Sequence, residues 1–293
     1  MKNLVVIITL IFFIVGCNKI DMNQIEAKEG LIYKIGNKKP FTGKVIEKYP
    51  NGNLKVEQNY RDGKKEGFFK EYDKNQELSR KIEYRNGNLR AETNFKDGKK
   101  EGAYKEYYEN GNVMAEGNFK NGKKEGIAKG YYKNGQLSEI GNYKDNKPEG
   151  AWKGYYGNGN LYVERNYKDG KEEGIAKKYY VNGSLWVERN FKDGKLDGVF
   201  KDYYENGSLW VERNYKDGKE EGIAKEYYEN GNLREEKNYR DGKLEGVSKS
   251  YYENGNLLLE DNYKDGKREN SSKIYNADGN LWLEEKSKDS VIE

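Results

Sequence analysis

The sequence predicts an all-β protein, an elongated single-layer antiparallel sheet of tandem 24-residue β-hairpin repeats forming a solenoid-like ribbon. Three observations predict it. Gly111, Gly135, Gly159, Gly183, Gly207, Gly231, Gly255 and Gly279 each lie 24 residues apart, and a fixed period of this size marks a repeat array. The stretches between glycines, such as "IAKEYY" and "LWVERNY", are short and rich in Tyr, Trp, Val and Leu, as strands require. A glycine or Asn-Gly arrives about every eleven residues, too often for a helix to propagate.

Composition agrees with a thin structure. Of 293 residues, 35% are charged and 34% hydrophobic, below the near-half apolar share of an ordinary globular domain. A repeat array tolerates this shortage because each element packs only on its neighbours. Aromatic residues make up 14%, which argues against intrinsic disorder. The net charge is +4 from 54 basic and 50 acidic residues, interleaved rather than blocked. No basic stripe emerges, so nucleic acid is not an expected partner. Histidine is absent and there is one cysteine, which removes most metal sites, most nucleophile–base pairs and any internal disulfide.

Residues 1–16 read as a signal peptide. Lys2 precedes an apolar run from Leu4 to Val15, interrupted by Thr9 alone. The run is too short to span a bilayer and suits a signal-peptide core. It ends in "IVGC", which resembles the bacterial lipobox. That resemblance implies cleavage after Gly16 and lipidation of Cys17, the single cysteine. The expected partner is then a membrane, held through the acyl chains. The expected location is the bacterial cell envelope, with the outer membrane or cell surface favoured. Residues 17–30 read as the lipidated cysteine and a polar tether, 31–285 as about ten repeats, and 286–293 as a polar tail.

Each unit divides into an Asn-Gly turn and a "KDGKxEG" reversal. Asn-Gly favours a two-residue type I′ turn. With that loop at Asn182-Gly183, Tyr180 faces Leu185, Tyr179 faces Trp186 and Lys177 faces Glu188. The same rule pairs Lys105 with Glu116, Lys153 with Glu164, Lys201 with Glu212, Lys225 with Glu236, Lys249 with Glu260 and Lys273 with Glu284, whereas Lys129 meets Ile140. Opposite charges across strands support the pairing. A three-residue loop with a bulge remains open and shifts the faces. In the first register Tyr180, Leu185, Val187 and Phe191 form the packed face. Tyr179, Lys177, Trp186, Glu188 and Asn190 form an aromatic and charged one. The spacing of only 11 between Gly87 and Gly98 predicts an inserted half-unit.

The words "YYENGNL", "NYKDGK" and "EG" at this spacing resemble the MORN-repeat variant of bacterial YwqK-type proteins, usually labelled antitoxin components. "KPFTGKV" at Lys39–Val45 is similar to the family's usual first unit, and the likeness runs over about residues 31–285. The resemblance implies an extended sheet of successive hairpins. The better-known MORN repeat is linked to phospholipid binding and to phosphoinositide kinases. No Gly-rich loop, catalytic loop or metal-binding triplet of a kinase is present here.

No chemistry is expected of the repeat. A catalytic carboxylate pair needs one special environment, and here each carboxylate recurs in unit after unit. The chain is therefore expected not to be an enzyme and to need no cofactor or metal. "DKNQE" at Asp73–Glu77 lacks the glycine and distal glutamate of a calcium loop. The Asn-Gly-Ser triplets at Asn182 and Asn206 read as turns. A candidate binding strip comprises Trp186, Trp210 and Trp282, with Tyr162 at the same repeat position and Tyr179 and Tyr203 as stacking neighbours. Such a row either covers the sheet or binds a glycan, a lipid headgroup or a protein, with a protein or glycan as the expected partner. The function expected is a non-enzymatic binding scaffold at the envelope, in adhesion or cell contact. An antitoxin or immunity component acting on an exported toxin is the alternative, and a structural spacer the second. Open sheet edges also allow self-association.

Overall fold

A computed structural model describes residues 18–286. The residues divide into two compact units. The first runs to Lys123 and includes Lys133–Gly135; the second holds Lys124–Tyr132 and everything from Gln136 onward. Each is built from antiparallel hairpins, and the expected all-β repeat fold is what the chain adopts. Among the described residues no helix is long and apolar enough to cross a membrane. Cys17 and the expected signal peptide of residues 1–16 lie outside the described residues, as does the expected tail beyond Lys286.

The turns are assigned the other way round from the sequence expectation. The two-residue type I′ turn is Asp-Gly: Asp193 and Gly194 have φ of 50° and 81°, and Lys192 pairs with Lys195 across them. The Asn-Gly loop has three residues. The Gly183 N–H donates to the Tyr180 carbonyl at 2.9 Å and the Tyr180 N–H donates to the Ser184 carbonyl at 2.8 Å. In that loop only Gly183 has positive φ, at 90°. Asn182 instead turns its side-chain oxygen onto the Ser184 N–H at 2.9 Å. This local bond gives asparagine its value in a turn. Asn206 makes the same bond to the Ser208 N–H at 2.8 Å, so both Asn-Gly-Ser triplets are turns.

The longer loop shifts the pairing by one residue, so Tyr179 meets Leu185 rather than Trp186. A β-bulge at Trp186 then shifts it back, and Lys177 meets Glu188 as expected. Two irregularities cancel. Every Lys–Glu pair read from the sequence is therefore found, and Lys129 does face Ile140. A bulge places one extra residue on the strand and re-aims the side chains around it.

The expected tether is folded from Lys19 onward. Lys19–Asp21 forms a strand parallel to Gly43–Lys48, and Ile25–Lys28 pairs with Leu31–Lys34. The Ile32 N–H donates to the Gly63 carbonyl at 3.0 Å, and the Phe41 N–H donates to Ile32 at 2.8 Å. Phe41, Val45, Ile46 and Val56 are buried beneath. The first hairpin of an array has one unsupported side, and this segment caps it.

The half-unit is the strand Asn88–Lys96, inserted between Leu78–Arg85 and Lys99–Tyr107. One extra strand has two consequences. It moves the Asp-Gly turns to the opposite end of the sheet. It also exchanges the faces: the row of buried Gln58, half-buried Phe69 and buried Ile82 continues into Glu92 and Lys105, while the charged row Glu57, Lys70 and Lys81 continues into Thr93 and Tyr104.

Candidate binding surface

Most of the repeated residues are occupied in holding successive hairpins together. The second tyrosine of each pair is a clip. Tyr156, Tyr180, Tyr204, Tyr228 and Tyr252 donate their hydroxyls to the carbonyls of Tyr179, Tyr203, Tyr227, Tyr251 and Tyr275, each 2.7–2.9 Å away. The residue after each Asn-Gly ties one loop to the next, as when Asn160 donates to the Val181 carbonyl at 2.8 Å and Ser184 donates to Glu205 at 3.1 Å. At the other end, the glutamate of "EG" accepts the N–H of the next Asp-Gly turn. Glu173 takes that of Asp193 and Glu221 that of Asp241, both at 2.9 Å.

The first tyrosine and the strand charges make a ladder on one face of the second unit. Lys153, Glu164, Lys177, Glu188, Lys201, Glu212, Lys225 and Glu236 follow one another across adjacent strands with alternating sign. Lys177–Glu188 and Lys201–Glu212 are 3.4 and 3.3 Å apart. Tyr179 donates to Glu164 at 2.6 Å, and burial together with that carboxylate pushes its hydroxyl far above the ordinary range. Burial also raises Tyr203, where Glu188 and Glu212 add to the effect and Lys201 opposes it.

The candidate strip is thereby split. Tyr179 and Tyr203 belong to the charged ladder. Trp186 and Trp210 do not stack on them; their rings lie 5.6 and 5.8 Å from Tyr180 and Tyr204. Tyr162 likewise meets Tyr156 at 5.0 Å. Lys178 reaches over Trp186, 5.7 Å from the ring centre, and Lys178 pairs with the buried Val187. The bulge thus carries the tryptophans to the valine side. Trp282 stands apart. It is 75% exposed, and Asn276 occupies the place of the stacking tyrosine.

What the sequence reading missed is a second row on the ladder face. Ile175, Val199, Ile223 and Val247 each follow the "EG" or "DG" glycine and precede the ladder lysine by two, so they share its face. All four are 40–50% exposed. Opposite them stand Asn190, Asn214, Asn238 and Asn262. The signal was available: a β-branched residue stands there in four successive repeats from Ile175 to Val247, and at Ile127 before the break at Ala151. Beside the row, Ala151, Trp152, Lys153, Glu164 and Ile175 line a shallow cavity of about 290 Å³. Among the described residues no cluster of carboxylates or thiols suits a metal ion. The turn at Asp73 is closed by its own carboxylate, which accepts the N–H groups of Asn75 and Glu77 at 2.9 and 2.8 Å.

The family profile described as "MORN repeat variant" matches nine successive segments, 41–62, 76–97, 100–121, 124–145, 148–169, 172–193, 196–217, 220–241 and 244–265. The chain belongs to the MORN repeat variant family. Its matched units are those whose clips, loops and ladders are described above, and the family's repeat supports a binding scaffold. No curated protein matches this MORN-variant chain. Solved structures resembling part of it include a Photorhabdus luminescens Tc holotoxin pore, at 11% identity and TM-score 0.21, over 87% of this chain and 16% of that one. A TcdB2–TccC3 structure matches at 13% identity and TM-score 0.18, over 83% and 18%. The chain thus spans about a sixth of the lengths of those chains.

Proposed function

We propose that this MORN-variant chain is a non-enzymatic binding scaffold, held at the bacterial envelope through lipid on Cys17, whose ladder face engages a protein in adhesion or cell contact. The observation that carries the reading is the exposed row Ile175, Val199, Ile223 and Val247. Four β-branched side chains in register contribute nothing to the clips or charge pairs, and their exposure lowers solubility without structural return. Apolar rows rimmed by charge are a common form of protein-binding surface. The flanking Lys–Glu ladder is spent on itself and adds orientation rather than affinity. A glycan would call for exposed aromatic platforms, and the stacked Trp186 and Trp210 offer less of one than the sequence suggests.

The experiment is photo-crosslinking on intact cells from a residue analogue placed at Val199, with Val181 on the loop as control. A discrete protein adduct from position 199, lost when Ile175, Ile223 and Val247 become serine, supports the scaffold. A folded serine variant with an unchanged adduct overturns it. A toxin as the captured protein moves the function to the immunity alternative. Absence of any adduct favours the spacer.

A further inference from the structure

On the valine face, Arg165, Arg189 and Arg213 recur at 24-residue spacing. Two of them hold a carboxylate of the chain. Arg165 donates to Glu172 at 2.6 Å and Arg213 to Glu220 at 2.8 Å, in each case the residue seven positions on. Arg213 also reaches Glu226 at 3.1 Å. For Arg189 the residue seven positions on is Leu196. Among the described residues Arg189 makes no ion pair, unlike Arg165 and Arg213, and its buried Nε, like that of Arg213, has no hydrogen-bond partner. Its guanidinium stacks 4.6 Å from the Phe200 ring centre. Stacking occupies the flat face of the group and leaves its in-plane N–H donors for an acceptor.

Arg189 lines a cavity of about 100 Å³ with Ala176 as its small floor and Val187 and Phe191 as apolar walls. The charged lining is Arg165, Lys178, Arg189 and Glu172, and Glu172 is already bound to Arg165. Asp202, across from Val187, is the nearest rival. It feels the charges of Arg189 and Arg213, yet its buried Oδ1 has no hydrogen-bond partner.

We infer that this cavity is a binding site for a single carboxylate side chain presented by a protein partner, with Arg189 as the anion-binding group. The repeat itself shows which acceptor an arginine takes here, because its two equivalents both hold glutamate. Size makes the same choice. The cavity is small, about 100 Å³, which suits a carboxylate on a short alkyl stem better than a sugar ring or a lipid headgroup. The apolar walls suit the stem, and a charge-assisted pair in a half-buried site is stronger than one in open water.

The test uses the full chain and butyrate as probe, read by the Arg189 Nε–Hε resonance and the Trp186 indole N–H. We expect saturable shifts with a dissociation constant on the order of 10 mM, and none from butyramide. Leu196→Glu supplies the missing carboxylate internally. It should weaken butyrate at least about tenfold while leaving or raising the thermal midpoint. Arg189→Gln should abolish the indole shift. Non-saturable shifts, equal affinity in folded Arg189→Gln, or unchanged affinity in Leu196→Glu would overturn the site. Inorganic phosphate binding more tightly than butyrate would overturn the carboxylate assignment.

Discussion

The Tyr180 hydroxyl donates to the Tyr203 carbonyl at 2.7 Å, joining the end of one repeat to the same point in the next. The bond explains the doubled tyrosine: Tyr179 serves the ladder and Tyr180 serves the neighbour. Tyr180→Phe keeps the ring that stacks on Trp186 and removes only the bond. We expect a loss of about 1 kcal/mol, the net worth of one such hydrogen bond. Urea unfolding measures it, and the Tyr180–Ser184 loop should exchange amide protons faster. Tyr228→Phe should cost a similar amount. The two should add, because repeats couple only to their neighbours.

The first unit predicts loss of stability at both ends of the pH scale. Burial pushes the Glu57 carboxyl upward, but bonds from Lys44 at 2.7 Å and Lys70 at 3.0 Å outweigh it and hold the group below the usual range. A depressed carboxylate contributes stability that is present above its unfolded pKa and lost as pH falls through the folded one. At the alkaline end, burial and the hydrogen bond to Glu92 push Tyr107 up to about 12. A raised phenol contributes stability that is complete below its unfolded pKa and lost as pH rises through the folded one, between about 10 and 12. Thermal midpoints against pH should fall at both ends. Glu57→Gln should flatten the acid limb and Tyr107→Phe the alkaline limb.

Architecture was legible in this sequence because the glycines count the strands and the charges fix the register. Lys177 opposite Glu188 could be read without coordinates, since a one-residue slip would have placed it against Val187 or Arg189. The face of Trp186 could not. A three-residue loop and a bulge produce the same pairing beyond the bulge as a two-residue loop without one, so the charge pairs are blind to the difference. Only the residues between loop and bulge distinguish them, and these were the ones assigned to the strip. The cap at Lys19–Asp21 was hidden for another reason: a three-residue strand carries no periodicity. Arg189 was hidden by the repeat, since it looks like its neighbours until Leu196 is set beside Glu172 and Glu220.

Glycine matters at Gly141 for space rather than for backbone angle. A Cβ there would come 2.2 Å from Cδ1 of Trp152, and at Gly154 one would meet Val163 at 2.9 Å. The three repeats that follow have arginine at the first position and alanine or phenylalanine at that of Trp152, whereas the preceding repeat has Gly117 and Ala128. The indole therefore takes room that a missing side chain vacates. Gly141→Ala should destabilise by about 1–3 kcal/mol through overpacking, whereas adding Trp152→Ala should recover most of the loss. Urea midpoints of the two single variants and the double variant make a complete cycle.

Trp186 and Trp282 occupy the same repeat position but differ in what surrounds them. Trp186 packs on Tyr180 and under Lys178, whereas Trp282 has Asn276 in place of that tyrosine and is 75% exposed. Its strand neighbours Leu281 and Leu283 are 52% and 41% exposed. Trp186→Ala should cost about 1–3 kcal/mol, below the value for a fully buried tryptophan. Trp282→Ala should stay within about 0.5 kcal/mol, as an exposed side chain does. Acrylamide quenching of single-tryptophan variants should show the same order, with Trp282 quenched several times more readily. Equal stability losses would mean that the Trp186–Tyr180 stack contributes nothing, and would return Trp186 to the candidate binding residues.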